Sequence, residues 1–189
     1  MDLVKIGKVL LIIIVILGVT IGVIGWKINL ETVTQLKTIN PTSSGPRVIV
    51  VYSPGISDFH QRMVDSFTSG LLASNWSVDI VTASSQAPID LTIYSLLVIG
   101  GPLYGWKPSK PIQDYMARLT DLRGLRVYAL FTTAGNPRDA DQIMTTWIIT
   151  HGGVEAGKLT LFTMAPNTPV DGTSDPSLIA AKAAQSIVK

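Results

Sequence analysis

The sequence predicts an α/β domain built on a doubly wound, five-stranded parallel sheet of order 2-1-3-4-5, preceded by one N-terminal transmembrane helix. Three observations carry this. Val9 to Trp26 runs for 18 residues without an ionisable side chain. Beyond Arg47, five short apolar runs alternate with segments of helical period. No hairpin signal separates consecutive runs, so the strands are joined by right-handed crossovers and lie parallel.

The apolar run is read as an anchor over residues 1–27. At 1.5 Å per helical residue it reaches about 27 Å, enough for the hydrocarbon core once Ile6 and Gly7 contribute. Lys5 and Lys8 flank one end, Trp26 and Lys27 the other. A cleaved signal peptide is the rival reading, but its apolar region is about 7 to 15 residues, and no small-x-small site follows here. The lysines nearly balance across the run and set no orientation. Residues 28–46 turn polar and close on a Pro/Thr/Ser/Gly cluster, which predicts a tether whose job is spacing. Ile28, Leu30, Val33, Leu36 and Ile39 give its first part a helical stripe that could lie along a lipid surface.

Composition narrows the function of residues 47–189. The net charge of +2 resides wholly in the first 46 residues, where Lys5, Lys8, Lys27 and Lys37 face Asp2 and Glu31. The domain itself is neutral and has no field to attract nucleic acid. The chain has no cysteine, so disulfides, thiolate metal sites and cysteine nucleophiles are excluded.

Within the domain the first run, Val48 to Tyr52, precedes a helix marked by Phe59, Met63, Phe67 and Leu71. Val78 to Thr82 and Leu96 to Ile99 follow. A helix beginning near Ser109 carries Ile112, Tyr115, Met116 and Leu119 at i, i+3, i+4, i+7. Val127 to Phe131 leads to a helix with Ala140, Ile143, Met144 and Trp147 on one face, and Leu159 to Phe162 is the fifth run. Asp175-Pro176 marks the last helix, Leu178 to Val188, with an N-cap acceptor and the residue suited to the first helical position. VIVVY, LLVIG and VYALF are continuous apolar runs suited to the sheet centre; VDIVT and LTLFT interpose polar residues, as edge strands do.

In such sheets ligands bind outside the carboxyl ends of the strands, at the switch point between the first and third. Three loops therefore matter. VVYSPGISDF brings Ser53, Ser57 and backbone amides to a helix start, a place suited to phosphate. Asp58 there has two readings: a carboxylate facing an anion, or, with Gln61 three residues on, a capping box. The second loop, Pro102 to Pro108, is stiff and sets Tyr104 and Trp106 about Gly105. These aromatics suit a flat ring or, equally, packing against the loop's own prolines. The third, LFTTAGNPRD, offers polar groups, while its Asn136-Pro137 reads also as a helix start. His60 and His151 lie too far apart in sequence to argue a ligand pair and are read as structural or solvent-facing. No nucleophile elbow, phosphate-binding Gly-Lys-Ser/Thr loop or Gly-x-Gly-x-x-Gly stands at a strand end, so hydrolase and nucleotidase readings drop out.

Through these loops the chain from Arg47 to Lys189 resembles the flavodoxin-like family. The resemblance implies noncovalent binding of FMN and electron transfer. Ser53, Pro54, Gly55, Ile56 and Ser57 match the family's phosphate loop, although Gly55 and Ile56 stand where Thr and Gly are expected and Asp58 where the final Thr is. Pro102, Leu103, Tyr104, Gly105 and Trp106 match the loop whose glycine peptide faces the flavin N5 and whose aromatic stacks on the ring. Thr132, Thr133, Ala134, Gly135 and Asn136 match the loop at the ring's other edge. The implied protein is single-pass, held in the lipid bilayer through Val9 to Trp26, with a redox partner protein or a quinone as its counterpart. Two alternatives stay open: an FMN-dependent oxidoreductase acting on a quinone-like substrate, and a flavin-free interaction module at the membrane.

Overall fold

The computed structural model describes residues 3–187; Met1, Asp2, Val188 and Lys189, the ends of the expected anchor and of the last helix, lie outside them. The chain divides after Leu30 into two compact units.

The first unit is a single helix, α1 (Leu3–Asn29). Within it Ile6–Lys27, 22 residues, is long and apolar enough to cross a membrane. The side chains from Val9 to Leu17 are all more than half exposed, so water is a poor solvent for this surface.

The second unit is a doubly wound α/β domain. In chain order it comprises β1 (Lys37–Ile39), β2 (Arg47–Tyr52), α2 (Phe59–Ala73), β3 (Ser77–Thr82), β4 (Leu96–Tyr104), β5 (Lys107–Pro108), α3 (Lys110–Arg118), β6 (Arg126–Thr133), α4 (Ala140–Thr150), β7 (Val154–Phe162) and α5 (Pro176–Ser186). The parallel strands run in the order β3-β2-β4-β6-β7, which is 2-1-3-4-5 counted along the expected five.

Strand alternation divides the core between the two faces. Ile49, Val51, Leu97, Ile99, Val127 and Phe131 pack against Ile112 and Tyr115 of α3 and Met144 and Ile148 of α4. Val48, Val50, Val78, Leu96, Val98 and Leu130 face Met63, Phe67 and Leu71 of α2 and Ile179 and Ala184 of α5. On this second face α2 and α5 approach closely at Gly70, where a Cβ would stand 2.2 Å from the Ala181 carbonyl oxygen. Asp175 caps α5 as expected, accepting from the Leu178 amide at 2.9 Å.

Three features differ from the sequence expectation. Residues 31–46 are not merely a spacer: β1 pairs antiparallel with β3, Thr38 opposite Asp79. Consequently β3 is not an edge strand, and only β7 of the two polar strands is one. The polar residue that suggested an edge, Asp79, is fully buried, because it is satisfied from several sides at once. Arg47 pairs with it at 2.8 Å, Tyr94 Oη donates at 2.7 Å and Thr38 Oγ1 at 2.6 Å. The third difference is a hairpin that the sequence did not signal: β4 and β5 pair antiparallel across Gly105 and Trp106. Both turn residues have positive φ, 57° and 64°, as a two-residue type I′ turn requires.

Candidate functional site

The loops after β2, β4 and β6 converge at the carboxyl edge of the sheet, flanking the switch point between β2 and β4. Their geometry follows from a few local choices.

The loop after β2 begins inside the sheet, where the Ser53 amide donates to the Gly100 carbonyl at 2.9 Å, and then turns outward. Gly55 takes φ 81°, and a Cβ there would stand 2.6 Å from Pro102 Cγ. Only glycine lets the first loop lie this close against the second. Ile56 donates its amide to Tyr104 Oη at 3.1 Å, tying the same two loops together. Burial pushes the Tyr104 phenol up and the Ile56 bond acts the other way; the phenol stays protonated at neutral pH.

At the start of α2 the amides of Gly55, Ser57 and Asp58 donate to no acceptor among the described residues. They sit at the positive end of a 15-residue helix. Asp58 neither faces these amides nor forms the capping box, for its side chain makes no cap bond. It is 75% exposed and pairs with Arg62 at 2.6 Å, while Gln61 bonds to Asp65 instead. The i, i+4 arginine outcompetes the cap, and the outward carboxylate leaves the loop's amides free of a neighbouring negative charge.

His60, in the first turn of α2, is fully buried, and its Nδ1 lies 3.2 Å from Thr132 Oγ1. It thereby braces the start of α2 against the end of β6. Its Nε2 has no partner among the described residues, and burial pushes its pKa down to about 3. The histidine is a neutral structural element, as its separation from His151 suggested.

A cleft of about 420 Å³ opens between the second and third loops, lined by Leu103, Gly105, Trp106, Thr133, Ala134, Gly135, Asn136 and Arg138. Trp106 is held out by the hairpin turn and stays 48% exposed. The Arg138 guanidinium lies over its ring, 3.8 Å from the centroid. Arg138 itself has φ 46°, and its amide donates to Asn136 Oδ1 at 2.8 Å, so Asn136-Pro137 forms a turn ahead of α4 rather than its first turn. Ser109 Oγ, outside the cleft lining, is buried without a partner among the described residues, 3.0 Å from where a Cβ on Gly101 would stand.

Of the expected residues, Leu103, Gly105, Trp106, Thr133, Ala134, Gly135 and Asn136 line the cleft. Ser53, Pro54, Gly55, Ile56 and Ser57 form the adjoining loop. Pro102 and Tyr104 brace that loop instead of facing the cleft, and Thr132 is spent on His60. Arg138 was not foreseen; its signal was a basic residue two positions beyond the Asn136 turn. A larger cleft of about 780 Å³ lies at the opposite, amino edge. Its arginines are engaged: Arg118 donates to the Ser84 and Ala87 carbonyls, Arg126 to Ile187, and Arg123 pairs with Asp121.

No protein-family model matches the sequence, and comparison with curated proteins finds no match. Solved structures are similar in fold. A flavodoxin from the domain Archaea superposes with TM-score 0.60 at 15% identity, covering 75% of this chain and 96% of that one. Two-electron reduced Megasphaera elsdenii flavodoxin gives 0.59 at 15% identity, over 73% and 98% of the two chains. An NAD(P)H:quinone oxidoreductase from Methanothermobacter marburgensis gives 0.52 at 13% identity, over 77% and 98%. The domain thus has the flavodoxin-like fold.

Proposed function

We propose that this chain is a membrane-anchored flavodoxin-like protein that binds FMN noncovalently and passes electrons. The observation that carries the reading is the pairing, at one edge of the sheet, of an anion-ready helix start with a cleft beside an exposed tryptophan. The amides of Gly55, Ser57 and Asp58, without an acceptor among the described residues, are available to a phosphate at the positive end of α2, and the outward turn of Asp58, paired with Arg62, weakens the repulsion its sequence position threatened. The cleft beside Trp106 suits the edge of a planar ring.

In this reading the first loop, with Ser53 and Ser57, holds the phosphate. The Trp106 hairpin and the segment Thr133 to Asn136 hold the ring. The flavin supplies the one- and two-electron chemistry that no side chain of this chain provides. The protein's share is to orient the ring, exclude water and set the charge around it; Arg138 is the one cationic side chain lining the cleft among the described residues. The anchor would hold the domain where a redox partner protein or a quinone-like substrate is concentrated.

One observation favours the flavin-free interaction module instead. Arg138 covers a face of Trp106, and Tyr104 takes the Ile56 amide, so the loops satisfy part of their own binding potential. Visible absorption of the purified full chain separates the two. Yellow protein with a flavin band supports the carrier; colourless protein that stays so after incubation with FMN leaves the module.

A further inference from the structure

We propose that Arg138 makes the Trp106 cleft favour a planar ligand that carries negative charge, which for a bound flavin means the reduced state over the oxidised one. The inference rests on the flavin reading above.

The first observation is what Arg138 lacks. The chain has six arginines, and five of them are engaged by oxygen. Arg47 pairs with Asp79, Arg62 with Asp58 and Arg123 with Asp121, while Arg118 and Arg126 donate to backbone carbonyls. The Arg138 guanidinium has neither an ion pair nor a hydrogen bond among the described residues; its contact is the Trp106 ring. A cation over an aromatic face spends no N–H on an oxygen, so the fork of donors stays available to an acceptor.

The second observation is how firmly the charge is placed. Arg138 has φ 46°, uncommon for a residue other than glycine, and its amide donates to Asn136 Oδ1 at 2.8 Å. Its guanidinium lies 3.8 Å from the Trp106 centroid. Both ends of the side chain are thus held at the cleft.

The third observation is the charge balance. The other residues lining the cleft are uncharged, so no carboxylate there cancels the guanidinium. Asp139, the next residue, is exposed and outside the lining. A flavin ring that takes up two electrons, from the redox partner of the reading above, and one proton, from water, goes from neutral to a single negative charge. The cation in the lining attracts the product of that reduction and not the neutral ring. An opposite charge a few ångströms away moves an ionisation equilibrium by about one to three powers of ten. Arg138 is exposed and screened, which places its effect at or below the low end, about threefold to tenfold.

The test compares wild type, Arg138→Gln, Arg138→Lys and Lys107→Gln as purified full chains in detergent. Lys107 is an exposed cation next to Trp106 in sequence but outside the lining, and it controls for charge in general. The midpoint potential of FMN bound to each protein, set against that of free FMN in a dithionite titration with indicator dyes, gives the ratio of Kd for the oxidised and reduced forms. Arg138→Gln should lower the preference for the reduced form about threefold to tenfold. Arg138→Lys should keep most of it, and Lys107→Gln should change it by less than about twofold. An unchanged ratio in Arg138→Gln, a loss of both forms alike, or an equal fall in Arg138→Lys or Lys107→Gln overturns this inference alone. A wild-type chain that binds FMN in neither state overturns the flavin reading and this inference with it.

Discussion

His60 makes the stability of the domain depend on pH within a defined window. In the folded chain burial holds its pKa down to about 3, against an ordinary value of 6.5. Between those values the unfolded chain takes up a proton that the folded chain refuses. The unfolded state then binds more protons, and stability falls as pH drops through the window. The loss begins near 6.5 and is complete only at the folded value. At pH 5 it amounts to about 2 kcal/mol, from roughly 1.4 kcal/mol for each unit below 6.5. Among the described residues Nδ1 bonds to the neutral Thr132 hydroxyl and Nε2 has no partner, so no ion pair there offsets this.

Carboxylates also titrate on the way down, so the effect is isolated by difference. Wild type and His60→Leu are unfolded in urea at pH 7 and pH 5 in the same detergent, followed by the shift in tryptophan emission, to which Trp76, 3% exposed in the folded domain, contributes. The variant gives up the bond to Thr132, about 1 kcal/mol, at both pH values. Wild type should lose about 2 kcal/mol more than the variant between pH 7 and 5. Equal losses in the two proteins would refute the buried, neutral histidine.

Other perturbations follow from the same contacts. Asp79→Ala leaves Arg47, Thr38 and Tyr94 without their shared acceptor and should cost about 3–5 kcal/mol in urea unfolding, the price of breaking a buried pair. Gly70→Ala gains about 1 kcal/mol of helix propensity but drives a methyl into the Ala181 carbonyl, an overpacking cost of about 1–3 kcal/mol; thermal unfolding should show a net loss. Trp106→Ala should weaken FMN binding by about 0.5–1.5 kcal/mol, roughly twofold to tenfold in Kd, in a fluorescence titration. Arg138→Ala should move the same titration the other way if the guanidinium competes for the Trp106 face; unchanged affinity would mean the ring avoids that face.

What the sequence made legible was whatever is local or periodic. Asp175-Pro176 announced its helix because a cap is satisfied within three residues. The central strands announced themselves because burial on two faces demands unbroken apolar runs, as in Val48 to Tyr52. Apart from the hairpin, the misreadings involve partners distant in sequence or competing nearby. Asp79 suggested an edge because the strand that covers it, Lys37–Ile39, is three residues long and lies some forty positions earlier. The β4–β5 hairpin was invisible because its turn places Trp106, not the usual Asn or Gly, at positive φ. That strained position is what exposes the ring, and such strain gathers at functional loops. Asp58 met the capping pattern with Gln61, yet Arg62 one residue farther offered an ion pair. The loops of the site were identifiable by topology, but which side chains face the cleft and which brace its walls depended on contacts such as Tyr104 with Ile56 and His60 with Thr132, formed between separate loops.

The flavin-carrier account stands or falls on whether the free amides at the start of α2 and the Trp106 cleft together hold one molecule. The most direct measurement is a pair of titrations of the purified full chain, one with FMN and one with riboflavin, which lacks the phosphate, each followed by flavin fluorescence. The account predicts saturable quenching at one FMN per chain and weaker binding of riboflavin, the difference reporting the loop from Ser53 to Ser57. No quenching by either flavin, or equal affinity for both, would contradict it.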